Sequence, residues 1–111
     1  MREVEFAVPK NCDVRKSPRL IEEVCARRGL QLAMKGSLAT YPGSVHWHYK
    51  KQNQKGTLEL TLHAPGHRIW AKVQAGRKAP WIDAELPRLK RAIESELKSL
   101  VRRIKINHNG T

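Results

Sequence analysis

Three histidines lie on two stretches in which apolar and polar residues alternate. His46 and His48 belong to residues 45–50, and His63 ends a similar stretch that begins at residue 57. Side chains two apart on a strand share a face, so these two rings would lie together, with His63 diagonal to His46 across a hairpin. Imidazoles arranged in this way can ligate zinc. The surrounding cations disfavour a dication, so we predict neither a metal nor another cofactor.

Trp70 suggests a different chemistry, because Arg68 and Lys72 flank it on a third alternating stretch. Cations pair with phosphates and an indole ring stacks on a base, so such a surface suits nucleic acid. The same charges suit an acidic protein partner. Because an exposed tryptophan is costly, a homodimer that covers this face is a further alternative, as is a solvated face on which the ring packs against aliphatic stems.

The positive charge is concentrated in the middle of the chain. The formal net charge is +12. Residues 1–23 carry five basic and five acidic side chains, whereas residues 24–82 carry ten basic side chains and the single acid Glu59. Residues 83–111 carry seven basic and four acidic side chains. A field of this kind attracts polyanions, although solubility alone would also explain it.

The sequence lacks the motifs of a common enzyme. It contains no arguable Ser-His-Asp or Cys-His arrangement, no phosphate-binding loop and no dinucleotide fingerprint, so we predict a protein that is not an enzyme. Cys12 and Cys25 fit no disulfide framework, which predicts reduced thiols and a cytoplasmic location. No apolar run approaches the roughly 20 residues of a membrane helix.

Seven elements are expected to position these residues. Residues 4–8 alternate as a strand, and Ser17 and Pro18 start a helix that Gly29 ends. Four strands follow, separated by turn residues at 41–43, 52–56 and 64–66. A long helix then begins at Asp83, with Pro87 in its first turn, and closes a single domain over residues 1–106. Residues 107–111 are predicted to be a flexible tail.

The order β-α-β-β-β-β-α predicts an α+β fold, with one antiparallel sheet of about five strands and both helices on one face. This topology resembles the saddle of the TATA-binding protein half-repeat, a likeness of fold that implies nothing about function. A tight turn at residues 65–66 would place Leu62 opposite Ile69 and Leu60 opposite Ala71. The preceding hairpin would place Trp47 opposite Leu60.

In this register the helix-free face of the sheet carries the candidate contact residues. They are Lys35, His46, His48, Lys50, Arg68, Trp70 and Lys72, with Arg77 and Lys78 extending the phosphate contacts in the loop before the last helix. We therefore predict a module that binds RNA or DNA with low sequence specificity. A protein-interaction module with an acidic partner, or a homodimer through this face, is the alternative.

Overall fold

A computed structural model describes the backbone of residues 1–109 and the side chains of residues 1–103. One antiparallel sheet contains five strands, which are β1 (Arg2–Glu5), β2 (Gln31–Leu38), β3 (Tyr41–Lys50), β4 (Leu58–His63) and β5 (Arg68–Val73). The strands lie side by side in the order β1-β5-β4-β3-β2. Helices α1 (Pro18–Arg27) and α2 (Pro80–Asn109) enclose the core against one face of the sheet. The predicted α+β class and element order are confirmed.

The register of the central strands follows the alternation of apolar residues. Leu60 of β4 lies opposite Trp47 on β3 and Ala71 on β5, and Leu62 lies opposite Ile69. All five side chains are buried in the core with the apolar face of α2. The predicted pairing of β3, β4 and β5 is therefore confirmed, and the polar side chains between these positions point to the opposite face.

Helix α1 begins and ends where the sequence predicts. Ser17 occupies the N-cap position, Pro18 is the first helical residue, and Gly29 follows the helix with a φ of +79°. The Ser17 hydroxyl does not cap the helix, because it donates to the carbonyl of Asp13 at 3.3 Å. Arg28 is the C-cap residue of α1. Its guanidinium makes two hydrogen bonds, of 2.7 and 3.0 Å, to the Glu85 carboxylate and so connects α1 to α2.

Helix α2 begins three residues earlier than predicted, at Pro80. Proline suits the first helical position because its missing N–H would have no partner there. Trp81 then lies inside the helix, where its ring is buried and its indole N–H donates to the carbonyl of Lys55 at 2.7 Å. The helix continues past Pro87 to Asn109, into the predicted tail, while residues 110–111 lie outside the described part of the chain. No helix in the described residues is both long and apolar enough to cross a membrane.

Strand β2 departs from the predicted alternation. Leu32 lies opposite Tyr49, but the register shifts by one residue at Ala33, so that Lys35 lies opposite Trp47. Such a bulge turns every following side chain to the other face. Lys35 consequently points to the helical side, where its ammonium group lies 2.6 Å from the Glu22 carboxylate of α1. The placement of Lys35 on the helix-free face was wrong.

A second irregularity lengthens β3 at its start. Residues 41–43 were predicted to form a turn, whereas the chain turns at residues 39–40 and β3 begins at Tyr41. The positive φ of Gly43, +83°, accommodates a bulge inside the strand. The Ser44 hydroxyl accepts the Leu38 N–H at 2.9 Å and satisfies a backbone group beside the bulge. As a result, Tyr41 reaches the helix-free face.

The Glu22 carboxylate is expected to make stability depend on pH. The hydrogen bond from Lys35 lowers the pKa of Glu22 below its ordinary 4.5, and the Trp47 indole N–H adds to this effect against the opposing effect of burial. The unfolded chain therefore takes up a proton first as the pH falls, so the stabilisation is present above pH 4.5 and is lost below it. Because Glu22 is partly exposed, Glu22→Gln should reduce the free energy of unfolding at neutral pH by less than about 1 kcal/mol.

Thermal unfolding over a range of pH measures this effect. The difference in melting temperature between wild type and Glu22→Gln should be present near neutral pH and should disappear in acid. Glu23→Gln is the control, because Glu23 pairs with Arg19 on the exposed side of α1. A difference that persists unchanged in strong acid would contradict this assignment.

Candidate functional site

The helix-free face of the sheet brings together most of the predicted contact residues. The observed pairing puts His48 opposite Glu59, His46 opposite Thr61, and Glu59 opposite Lys72. Trp70 lies opposite Thr61 on the next strand. The predicted face is therefore correct for these strands. Several of its members are nevertheless buried: His46, Glu59, Thr61 and Trp70 are each 5% exposed or less.

At the centre of this face, three potential ligand atoms point at one another. The Nε2 atoms of His46 and His48 are 3.1 Å apart. Oε1 of Glu59 lies 3.4 Å from the His46 nitrogen and 3.8 Å from the His48 nitrogen. His46 and Glu59 are each 5% exposed. We call His46, His48 and Glu59 the His-His-Glu cluster.

The ring of His46 is held in place by its second nitrogen. Nδ1 of His46 lies 2.8 Å from the hydroxyl of Thr61, directly across the β3–β4 ladder. Burial lowers the pKa of His46 below 6.5, with the charges of His48 and Lys72 acting in the same direction and Glu59 opposing them. Burial therefore favours the uncharged form of the His46 ring, whose Nε2 faces the other two members of the cluster.

The cluster forms the floor of a groove of about 570 Å³. Gly36, Ser37 and Leu38 of the bulged strand β2 form part of one side, and Gln74 and Arg77 lie on the other. Arg77 ends a short 3-10 helix over Ala75–Arg77, which the Thr57 N–H fixes by donating to the carbonyl of Arg77 at 2.9 Å. We call this cavity the central groove.

Arg77 lines the central groove and contacts its floor. The Arg77 guanidinium lies 3.8 Å from Oε2 of Glu59, the carboxylate oxygen that is turned away from the imidazoles. An adjoining cavity of about 380 Å³ extends the groove past His48 and Arg77 to Lys50. Within the described residues, Lys50, Lys72 and Lys78 form no ion pair within 4.0 Å. Lys50 and Lys78 are exposed, and Lys72 is half-buried.

Trp70 is on the predicted face, but it is not available for stacking. Its side chain is 4% exposed. The Tyr41 ring covers it at a centroid distance of 4.9 Å and an angle of 61°, and the Arg68 guanidinium lies 4.3 Å above the ring. The expectation of an exposed indole was wrong, because it depended on a turn at Tyr41 where the chain forms a strand.

The edge strand β1 adds negative charge that was not expected on this face. Glu3 lies opposite Lys72 and Glu5 lies opposite Trp70. Glu5 accepts two hydrogen bonds from Arg68, of 2.8 and 3.0 Å, and these bonds raise the pKa of Arg68 above its ordinary value. Arg68 is therefore already paired, which makes it a weaker phosphate ligand than the sequence suggested.

The third residue beside His46 and His48 is not His63, which the sequence analysis had considered for this position. His63 lies opposite Ser44 and Arg68 and packs its ring against Tyr41 at 5.2 Å, away from the cluster. Glu59 takes that place. The predicted register already implied that His48 and Glu59 face each other, because they form the next pair along the ladder from Trp47 opposite Leu60.

The chain was compared with models of protein families, with curated proteins and with solved structures, and none of them matches it.

Proposed function

We propose that this protein binds single-stranded RNA or DNA with low sequence specificity, and that the strand lies along the central groove. The observation that most supports this proposal is a set of basic side chains, on this face and in the loop after β5, that lack a close ion-pair partner. Arg77 and Lys50 line the groove and its extension, and Lys72 lies opposite Glu59 on the same face. Lys78 follows Arg77 in the chain and is exposed. These side chains are the proposed phosphate contacts. The net charge of +12 would attract the strand at long range.

Low sequence specificity follows from the kind of contact that is available. Phosphate contacts hold a strand without reading its bases. With Trp70 covered by Tyr41 and Arg68, affinity rests on charge and not on ring stacking. The groove also offers the exposed side chain of Met34, which can pack against a base without regard to its identity.

The burial of Trp70 bears on the alternatives as well. A homodimer through this face was considered because an exposed tryptophan would need cover, and the chain supplies that cover itself. An acidic protein partner would use the same cations as a nucleic acid, so it becomes an outcome of the binding experiment.

Binding should depend steeply on salt. For a single strand, the logarithm of the affinity should fall by about 0.7 for each tenfold rise in salt and each phosphate neutralised. Lys50→Gln and Lys72→Gln should each make this slope shallower by about 0.7, because each removes one phosphate contact. Fluorescence anisotropy of a labelled single-stranded oligonucleotide, titrated at several salt concentrations, measures both the affinity and the slope.

Lys98→Gln is the matched control, since it removes the same charge from an exposed position on α2, on the other side of the sheet. The proposal expects it to leave the slope unchanged. If Lys98→Gln acts as strongly as Lys50→Gln, diffuse charge and not the groove binds the strand. If poly-glutamate competes as well as the oligonucleotide at equal charge, the acidic protein partner is the better assignment.

A further inference from the structure

We infer that His46, His48 and Glu59 form a binding site for a divalent first-row transition metal ion, with zinc as the ion that best fits their spacing. The site lies on the floor of the central groove and offers two imidazole nitrogens and one carboxylate oxygen. This inference is independent of nucleic-acid binding and is tested without it.

The distances between the ligand atoms match those around a tetrahedral ion. Bonds of about 2.0–2.2 Å at tetrahedral angles place neighbouring ligand atoms about 3.3–3.6 Å apart. The three observed distances are 3.1, 3.4 and 3.8 Å. The right angles of an octahedral site would bring the same atoms to about 3.0 Å, which fits less well. Two histidines and one glutamate are also the protein ligands of known catalytic zinc sites.

The surroundings of the cluster orient its ligands. Nδ1 of His46 lies within hydrogen-bond distance of the Thr61 hydroxyl. In the tautomer in which Nδ1 donates to this hydroxyl, Nε2 carries a lone pair that faces His48 and Glu59. Arg77 lies beside Oε2 of Glu59 and leaves Oε1 directed at the imidazoles. Partners that fix the ring and the carboxylate in this way are typical of metal sites.

The Glu59 carboxylate supplies the negative charge of the cluster. Glu59 is the only acidic residue among residues 24–82, and it is 5% exposed beside two histidines. The Arg77 guanidinium lies 3.8 Å from Oε2 of Glu59, and the Arg77 side chain is half exposed. A buried carboxylate requires compensation, and a metal ion between the three ligand atoms would supply it. Three protein ligands leave a fourth position, which water can reach from the groove.

Cobalt and zinc titrations test the site directly. Tag-free protein is stripped with a chelator and titrated with Co²⁺, whose visible absorption bands are intense in tetrahedral sites and weak in octahedral ones. We expect one Co²⁺ ion per chain with intense bands, and displacement of that ion by Zn²⁺. Zn²⁺ should also raise the melting temperature, because the three ligands lie together in the folded chain, which therefore binds Zn²⁺ more tightly than the unfolded chain does. The absence of saturable binding of either ion would overturn the inference. His46, His48 and Glu59 would then be a hydrogen-bonded group without a metal.

Single substitutions identify the ligands. His48→Ala and Glu59→Gln should each weaken binding by more than the roughly 10–100-fold typical of losing an outer partner. His63→Ala is the matched control, because it removes a histidine from the same face outside the cluster. Thr61→Val, which removes the hydroxyl partner of His46 and keeps its shape, should weaken binding by about 10–100-fold. Circular dichroism confirms that each variant is folded.

Two results would contradict this assignment even if metal binds. If His63→Ala and His48→Ala weaken metal binding equally, the histidines of this face bind metal non-specifically and do not form a defined site. If Glu59→Gln binds metal as tightly as the wild type, the Glu59 carboxylate is not a ligand. Because neither titration contains nucleic acid, the metal site and the proposed strand binding succeed or fail separately.

Discussion

Leu60→Ala should reduce the free energy of unfolding by about 2–5 kcal/mol. Leu60 is 0% exposed and lies at the centre of the sheet, between Trp47 on β3 and Ala71 on β5. The shortened side chain would leave a cavity that two hydrogen-bonded neighbouring strands cannot close. Urea unfolding followed by circular dichroism measures the change from the transition midpoint.

Leu32→Ala is the matched control for this substitution. Leu32 is 50% exposed on the edge strand β2, so its loss should change the free energy of unfolding by less than about 0.5 kcal/mol. If the two substitutions have similar effects, Leu60 is not in the core and the register of the central strands is wrong.

The sequence predicted the pairing of β3, β4 and β5 because a single register satisfies every position. A shift of one residue would have placed Leu60 and Leu62 opposite polar side chains. The same register implied that His48 faces Glu59. It did not predict which neighbour Glu59 would turn to, because His48 and Lys72 lie at equal positions on either side. Glu59 instead points to both histidines and to Arg77, which comes from beyond the sheet.

The parts that the sequence did not predict depend on bulges. One extra residue at Ala33 moves Lys35 to the helical side, and nothing in the alternation of residues 30–35 marks it. Residues 41–43 contain the proline and glycine of a turn, yet Gly43 serves a bulge within β3. Both features act on the edge hairpin, where fewer neighbours constrain the backbone, and both change what covers the helix-free face.

Trp70→Ala should destabilise the protein by about 3 kcal/mol, at the low end of the range of about 3–5 kcal/mol for tryptophan in cores. Trp70 is 4% exposed beneath Tyr41 and Arg68. The two side chains that cover Trp70 lie at the surface and can partly collapse into the space that the ring leaves. The loss of unfolding free energy should therefore be smaller than for a tryptophan at the centre of the core. Urea unfolding measures it, and Trp70→Phe should retain most of the stability because an aromatic contact with Tyr41 remains.

The same variant also tests whether Trp70 stays covered by Tyr41 or stacks on a base when a strand binds. Under conditions where Trp70→Ala is still folded, the affinity for a single strand should equal that of the wild type, since only phosphate contacts are proposed. A ring that stacked on a base would contribute about 1–3 kcal/mol, so its removal would weaken binding about ten- to a hundredfold. Such a loss, with little change in stability, would show that Tyr41 and Arg68 move aside when the strand binds and that Trp70 belongs to the interface.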